Sequence, residues 1–196
     1  REIIQRQPAA TTVACVDEKR SQQLQQASAN DYFRPYFTTD VVGTEIGGAV
    51  KNVIALANGM AVGQGFGENA QAALITRGLA EMSRLGVALG ANPLTFLGLA
   101  GIGDLIATCS SSLSRNRTFG ENLGKGLSVD ETVAVTKQTC EGVKSCMPIL
   151  EMGRDAGVEM PITEQVVNVV HNGMAPAEML AALMSRPVRE EQGQAS

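Results

Sequence analysis

Between residues 45 and 60 the apolar side chains Ile46, Ala49, Val50, Val53, Ile54 and Ala57 fall at the 3.6-residue spacing of a helix that buries one stripe. Helical spacing of this kind governs the chain from Asp40 onward and limits the fold to packed helices. A second long helix is expected over 68–89, with Ile75, Leu79, Met82 and Leu89 along one face. It stops at Gly90, and Asn92-Pro93 then supply an N-cap and a first helical residue. Shorter helices fit 93–98, 103–109, 116–124 and 129–136, and longer ones fit 142–156, 163–172 and 176–185. Aromatics are only 4% of the chain and Trp is absent, so Ala, Val, Leu, Ile and Met must build the core. Such side chains suit closely packed helices, and the expected class is mainly α.

Upstream of Asp40 the pattern differs. A β-branched run over 11–16 reads as a short buried strand, Asp17 as the N-cap of a Gln-rich helix over 18–29, and 32–38 as an edge strand containing a proline. This β-α-β piece, 1–39, is too small to be a domain alone. The helical domain is expected over 40–185 and a frayed polar tail over 186–196. Arg1 opens the chain in what reads as the end of a helix, so a longer parent protein is expected.

Several classes of function are disfavoured. The net charge is −4 with no concentrated basic patch, so a nucleic-acid partner is not expected. His171 is the only histidine, which excludes a histidine-rich metal site, and no metal is expected. Cys15, Cys109, Cys140 and Cys146 lack paired spacing and read as reduced thiols. No uninterrupted apolar run of 18 residues and no signal peptide is visible, so membrane insertion is not expected and the expected location is cytoplasmic.

Three clusters could carry chemistry. In Gly47-Gly48-Ala49-Val50-Lys51-Asn52 a lysine has two glycines one turn away, leaving open space beside its ammonium. Each glycine costs a helix roughly 1 kcal/mol against alanine, a cost usually offset by close approach of a ligand or another backbone. A solvated lysine above a packing contact remains the alternative. In Gly101-Ile102-Gly103-Asp104 a carboxylate sits in an apolar segment, with Thr108 one turn on. It needs a cationic or hydrogen-bonding partner, or else caps a helix. In Leu113-Ser114-Arg115-Asn116-Arg117, Ser114 reads as an N-cap that sets backbone amides and the Arg115 fork around a possible anion. A charged surface loop is the competing description.

Two features are set aside. Gly63-Gln64-Gly65-Phe66-Gly67 is superficially like a dinucleotide-binding loop, but it follows a helix and lacks the spacing of G-x-G-x-x-G. His171, beside Asn172-Gly173, suits a surface position at a helix C-terminus.

Taken in order, the motifs resemble those of one family. Glu45-Ile46-Gly47-Gly48-Ala49-Val50-Lys51-Asn52-Val53-Ile54-Ala55-Leu56, then Gly65-Phe66-Gly67 with Asn69-Ala70, closely resemble the signature of NAD(P)-dependent sn-glycerol-3-phosphate dehydrogenases of bacterial type. Ala73-Leu74-Ile75-Thr76-Arg77-Gly78, Gly98-Leu99-Ala100-Gly101-Ile102-Gly103-Asp104-Leu105, Leu113-Ser114-Arg115-Asn116-Arg117, Glu141-Gly142 and Met160-Pro161-Ile162-Thr163-Glu164 continue the resemblance.

The resemblance implies a helical substrate domain of the 6-phosphogluconate-dehydrogenase-like C-terminal type, preceded by the tail of a Rossmann domain. It implies interconversion of sn-glycerol 3-phosphate and dihydroxyacetone phosphate with NAD or NADP, for glycerophospholipid synthesis. Lys51 would be the general acid/base; Asn52, Asp104 and Thr108 would hold the glycerol oxygens. Ser114, Arg115 and Asn116 would hold the phosphate, and Arg115 and Glu141 would reach the cofactor. The implied partners are a small phosphorylated substrate, the chain's own N-terminal Rossmann domain and a second copy in a homodimer. The family's glycine-rich loop and second active-site lysine have no counterpart here, so the chain alone is expected to be inactive. Competing readings are a related hydroxyacid or ketopantoate-type reductase, which lacks the Leu-Ser-Arg-Asn-Arg segment, and a non-catalytic helical dimerisation module.

Overall fold

A computed structural model describes residues 2–137 and 140–186. Of the tail expected over 186–196, all but Arg186 lies outside the described residues. The β-α-β piece comprises β1 (Ala9–Ala14), α1 (Glu18–Ser28) and β2 (Phe33–Thr38). The two strands are parallel, in register from Ala9 against Phe33 to Ala14 against Thr38. β1 ends earlier than the β-branched run suggests, because the chain must turn to let Asp17 cap α1, where it accepts the Arg20 N–H at 3.1 Å. Val16 is left exposed by that turn. Ser21 ties helix to sheet, its buried hydroxyl donating to the Val13 carbonyl at 2.9 Å.

Asp40 joins this piece to the helices. It caps α2 (Val41–Gly63), accepting the Gly43 N–H at 2.9 Å, and its other oxygen accepts the Asn92 N–H at 3.0 Å and the Thr95 hydroxyl at 2.5 Å. Partial burial pushes the Asp40 carboxyl up, but these three donors outweigh it and hold the group below the ordinary carboxylate value.

Helix α2 is the axis of the domain. Around it pack α3 (Glu68–Ala88), α4 (Asp104–Ser110), α5 (Arg115–Gly124), α7 (Glu141–Asp155) and α8 (Pro161–Asn172), with α6 (Val129–Thr136) and α9 (Pro176–Met184) further out. The single stripe expected for α2 is therefore a correction: from Val53 to Ala61 every residue is buried, on all sides. By length and composition α2 could cross a membrane, yet 67% of its apolar stretch is buried inside the bundle. A central core helix has the same composition.

Glycines let α5 approach α2 closely. A Cβ on Gly59 would lie 2.1 Å from the Arg117 carbonyl oxygen, and one on Gly63 2.2 Å from that of Glu121. Reciprocally, a Cβ on Gly120 would lie 2.1 Å from the Leu56 carbonyl oxygen and one on Gly124 2.3 Å from that of Met60. Backbone therefore packs directly on backbone from Leu56 to Gly63 of α2.

Further differences have local causes. In α3, Leu74, Met82 and Leu85 are buried, whereas Leu89 lies past the helix end and is exposed. Residues 93–97 form a 3-10 turn, and a π-helical turn spans Leu99–Gly103 before α4 begins. Gly101 packs against Phe96 there, where a Cβ would lie 2.2 Å from the Phe96 carbonyl oxygen. Helix α8 has no side-chain cap of its own; the fully buried Glu81 of α3 accepts the Ile162 and Thr163 N–H groups at 2.8 and 3.0 Å and the Thr163 hydroxyl at 2.6 Å. Burial pushes the Glu81 carboxyl up, against the pull of those hydrogen bonds and of Arg84.

Candidate functional site

Lys51 sits on the first exposed turns of α2, before the helix dives into the core. Its Nζ lies 2.5 Å from Asp104 Oδ2, with the lysine side chain 22% exposed and the aspartate 40%. Gly47 makes this approach possible: a Cβ there would lie 2.3 Å from the Ala100 carbonyl oxygen, in the π turn that leads into α4. Asp104 is the first residue of α4 and makes no capping bond; its other oxygen accepts the Thr108 hydroxyl at 3.3 Å. The cationic partner required by a half-buried carboxylate is thus Lys51, and both the capping and the solvated-lysine descriptions fall away.

The next residue, Asn52, leans away from Asp104, toward α5 and α7. Its Nδ2 donates to Glu141 Oε2 and to the Gly48 carbonyl, both at 3.2 Å, and its Oδ1 accepts from Asn116 Nδ2 at 3.0 Å. Asn116 is buried, and its Oδ1 accepts the Gly142 N–H at 2.8 Å and the Cys140 thiol at 2.9 Å. A backbone N–H can only donate, so Gly142 fixes which end of the Asn116 carboxamide is oxygen. That in turn fixes the orientation of Asn52. Burial raises the Cys140 pKa and keeps it a protonated donor.

Ser114 caps α5 as expected, its oxygen accepting the Arg117 N–H at 3.3 Å. Arg115 follows on the first turn, its guanidinium 3.5 Å from Glu141 Oε1, with both side chains more than half exposed. Arg115 thus stands at the positive end of a ten-residue helix, a position that suits an anion.

All the expected residues are thus brought together in two adjoining groups built on successive positions of α2. Lys51, Asp104 and Thr108 form one; Asn52, Asn116, Glu141 and Arg115 form the other, with Ser114 at the α5 start. Sequence reasoning missed Cys140 and Gly142, which hold Asn116; only the Glu141-Gly142 pair hinted at that position. His171 lies outside, exposed at the end of α8 with its Nε2 3.5 Å from Cys146 Sγ. The Gly63–Gly67 turn simply links α2 to α3, with Gly65 at φ +81°. Cys109, Cys140 and Cys146 are buried free thiols, and burial pushes Cys109 up to about 12 and Cys146 to about 11. Among the described residues no cluster of His, Cys, Asp and Glu could hold a metal ion.

Known proteins resemble the chain over nearly its whole length. It is 64% identical over 191 residues to a glycerol-3-phosphate dehydrogenase [NAD(P)+] of Thermobifida fusca, and equally so to one of Streptomyces coelicolor; each match covers 97% of this chain and 57% of the relative. The chain thus spans little more than half the length of the relatives it matches. The crystal structure of glycerol-3-phosphate dehydrogenase from Coxiella burnetii superposes with a TM-score of 0.90 at 37% identity, covering 94% of this chain and 57% of that one. The Saccharomyces cerevisiae enzyme superposes with a TM-score of 0.82 at 28% identity, over 93% of this chain and 56% of that one. A family model described as NAD-dependent glycerol-3-phosphate dehydrogenase C-terminus matches residues 40–181, which span α2 to α8 and the start of α9. On that match and these identities, the chain belongs to the NAD-dependent glycerol-3-phosphate dehydrogenase C-terminal family.

Proposed function

We propose that this chain is the substrate-binding and catalytic half of an oxidoreductase that interconverts sn-glycerol 3-phosphate and dihydroxyacetone phosphate with NAD(P)(H). The observation that carries the reading is the pairing of Lys51 with Asp104, with Arg115 at the start of α5 and joined to Glu141, which Asn52 also contacts. Lys51 is the acid/base: its ammonium polarises the C2 carbonyl, stabilises the developing alkoxide and delivers the proton to it. Asp104 holds that ammonium in place, and Thr108 and Asn52 complete the contacts to the substrate oxygens. Ser114, Arg115 and Asn116 anchor the phosphate through the backbone amides of the helix start and the Arg115 guanidinium.

The residues present suit a dinucleotide as well. Arg115 and Glu141 are 53% and 61% exposed on the surface that Asn52 shares, offering a cation for the pyrophosphate and a carboxylate for ribose hydroxyls. When bound, the nicotinamide supplies or accepts the hydride. Its other contacts belong to an N-terminal Rossmann domain, of which 1–39 is the tail, with the helical domain running from 40 to 185. The active form is a homodimer in the cytoplasm, serving glycerophospholipid synthesis. The hydroxyacid and ketopantoate-type reductases are disfavoured by the Ser114-Arg115-Asn116 segment, for which an unphosphorylated substrate has no use.

The test is an assay of the full-length parent protein with dihydroxyacetone phosphate, ketopantoate and pyruvate, following NADH and NADPH oxidation. Turnover confined to dihydroxyacetone phosphate is expected. Preference for an unphosphorylated acid would overturn the reading.

A further inference from the structure

The adjacent glycines of α2 do different things. Gly47 meets the Ala100 carbonyl, so its missing side chain serves packing. A Cβ on Gly48 would meet nothing within 4 Å, and its φ is not left-handed. Every other glycine within the α-helices of the described residues would bring a Cβ to within 3 Å of another atom. Gly48 alone has no packing reason to be glycine, and in mid-helix it carries the usual entropic penalty.

Its position gives the reason. Lys51 and Asn52 lie three and four residues on, so they flank Gly48 on one face of the helix. Lys51 leans away toward Asp104 on α4, while Asn52 leans toward Asn116 on α5 and Glu141 on α7. A side chain at 48 would therefore project into the gap between the two groups. Asn52 Nδ2 already rests against the Gly48 carbonyl, which fixes that wall of the gap.

We propose that Gly48 is a specificity-determining residue, whose missing Cβ opens the channel through which the substrate's carbon chain runs from Lys51 to the anion site at α5. This rests on the function proposed above. A small, unbranched three-carbon phosphate fits such a channel; a methyl group on the helix narrows it. The protein accepts a less stable helix in return for that clearance.

The experiment compares Gly48→Ala and Gly47→Ala with wild type in the full-length parent protein. Gly48→Ala is expected to keep or raise the thermal midpoint, by about 2 °C. Its kcat/KM for dihydroxyacetone phosphate falls by roughly 10–200-fold, the range for one methyl-sized change in a fitted pocket. KM for the nicotinamide cofactor stays within about twofold, as expected when uniform substrate binding alone is touched. Gly47→Ala shows the reverse sign in stability, with a lowered midpoint. A Gly48→Ala protein with wild-type kcat/KM, a lowered midpoint, or a loss confined to cofactor KM overturns the inference. If wild type itself does not turn over dihydroxyacetone phosphate, the functional reading fails first and takes this one with it.

Discussion

Lys51 Nζ and Asp104 Oδ2 meet at 2.5 Å although 53 residues of chain separate them. The contact depends on Gly47, which admits the Ala100 carbonyl, and on the π turn that delivers Asp104 to the start of α4. It locks the lysine's otherwise mobile stem in one direction.

If Lys51 is the acid/base, Lys51→Ala in the full-length protein lowers kcat by about 10²–10⁴-fold. Asp104→Asn lowers kcat less, because the ammonium survives but loses its orienting partner. Steady-state kinetics on both variants decide the matter. Near-normal kcat in Lys51→Ala would reassign the pair to structure.

Arg115, if it anchors the phosphate as proposed, selects for the phosphorylated substrate. Loss of one charge-assisted hydrogen bond costs roughly 1.5–3 kcal/mol, so Arg115→Leu loses about one to two decades of kcat/KM on glycerol 3-phosphate. Activity on unphosphorylated glycerol hardly changes, and Arg115→Lys recovers only part of the loss because an ammonium lacks the fork. The ratio of the two substrates' kcat/KM values is the measurement. Equal losses on both would move Arg115 to the fold or the cofactor.

Asp40 makes stability acid-sensitive. Its folded pKa lies below the ordinary carboxylate value, so its contribution is complete above that value and is lost as pH falls through the folded one. Thermal midpoints of wild type therefore drop between neutral pH and about pH 3. Asp40→Asn starts lower at pH 7 and follows a flatter acid limb. Parallel curves for the two proteins would contradict this.

The α2–α5 seam tolerates no added carbon. Gly120→Ala brings a Cβ against the Leu56 carbonyl, and overpacking of this kind costs about 1–3 kcal/mol. Urea unfolding measures it, and a variant as stable as wild type would mean that the seam can open without cost.

Much of this arrangement was legible along the chain. The long helices follow from apolar spacing, and Asp17, Asn92 and Ser114 cap where their side-chain chemistry indicates. Local rules reach no further than a turn or two. Glu81 caps α8 from another helix and leaves no local trace, and Cys140 and Gly142 orient Asn116 across a loop with only the Glu141-Gly142 pair as a hint. The seam did leave one, since Gly59 and Gly63 share the four-residue spacing of Gly120 and Gly124, but glycine adds nothing to an apolar stripe. The π turn escaped because it depends on where Gly101 meets Phe96.

That seam has a consequence for the evolution of specificity. Lys51 and Asn52 ride on α2, Arg115 and Asn116 on α5, and from Leu56 to Gly63 of α2 the two helices meet through glycine-to-backbone contacts that leave little side-chain volume to repack. Core mutations usually shift helices by swapping one side-chain volume for another. At these glycines there is no side-chain volume to swap, so the span from Lys51 and Asn52 to Arg115 and Asn116 works as a fixed calliper. A descendant that takes a longer or shorter substrate must change the residues at its jaws, because the hinge offers no adjustment.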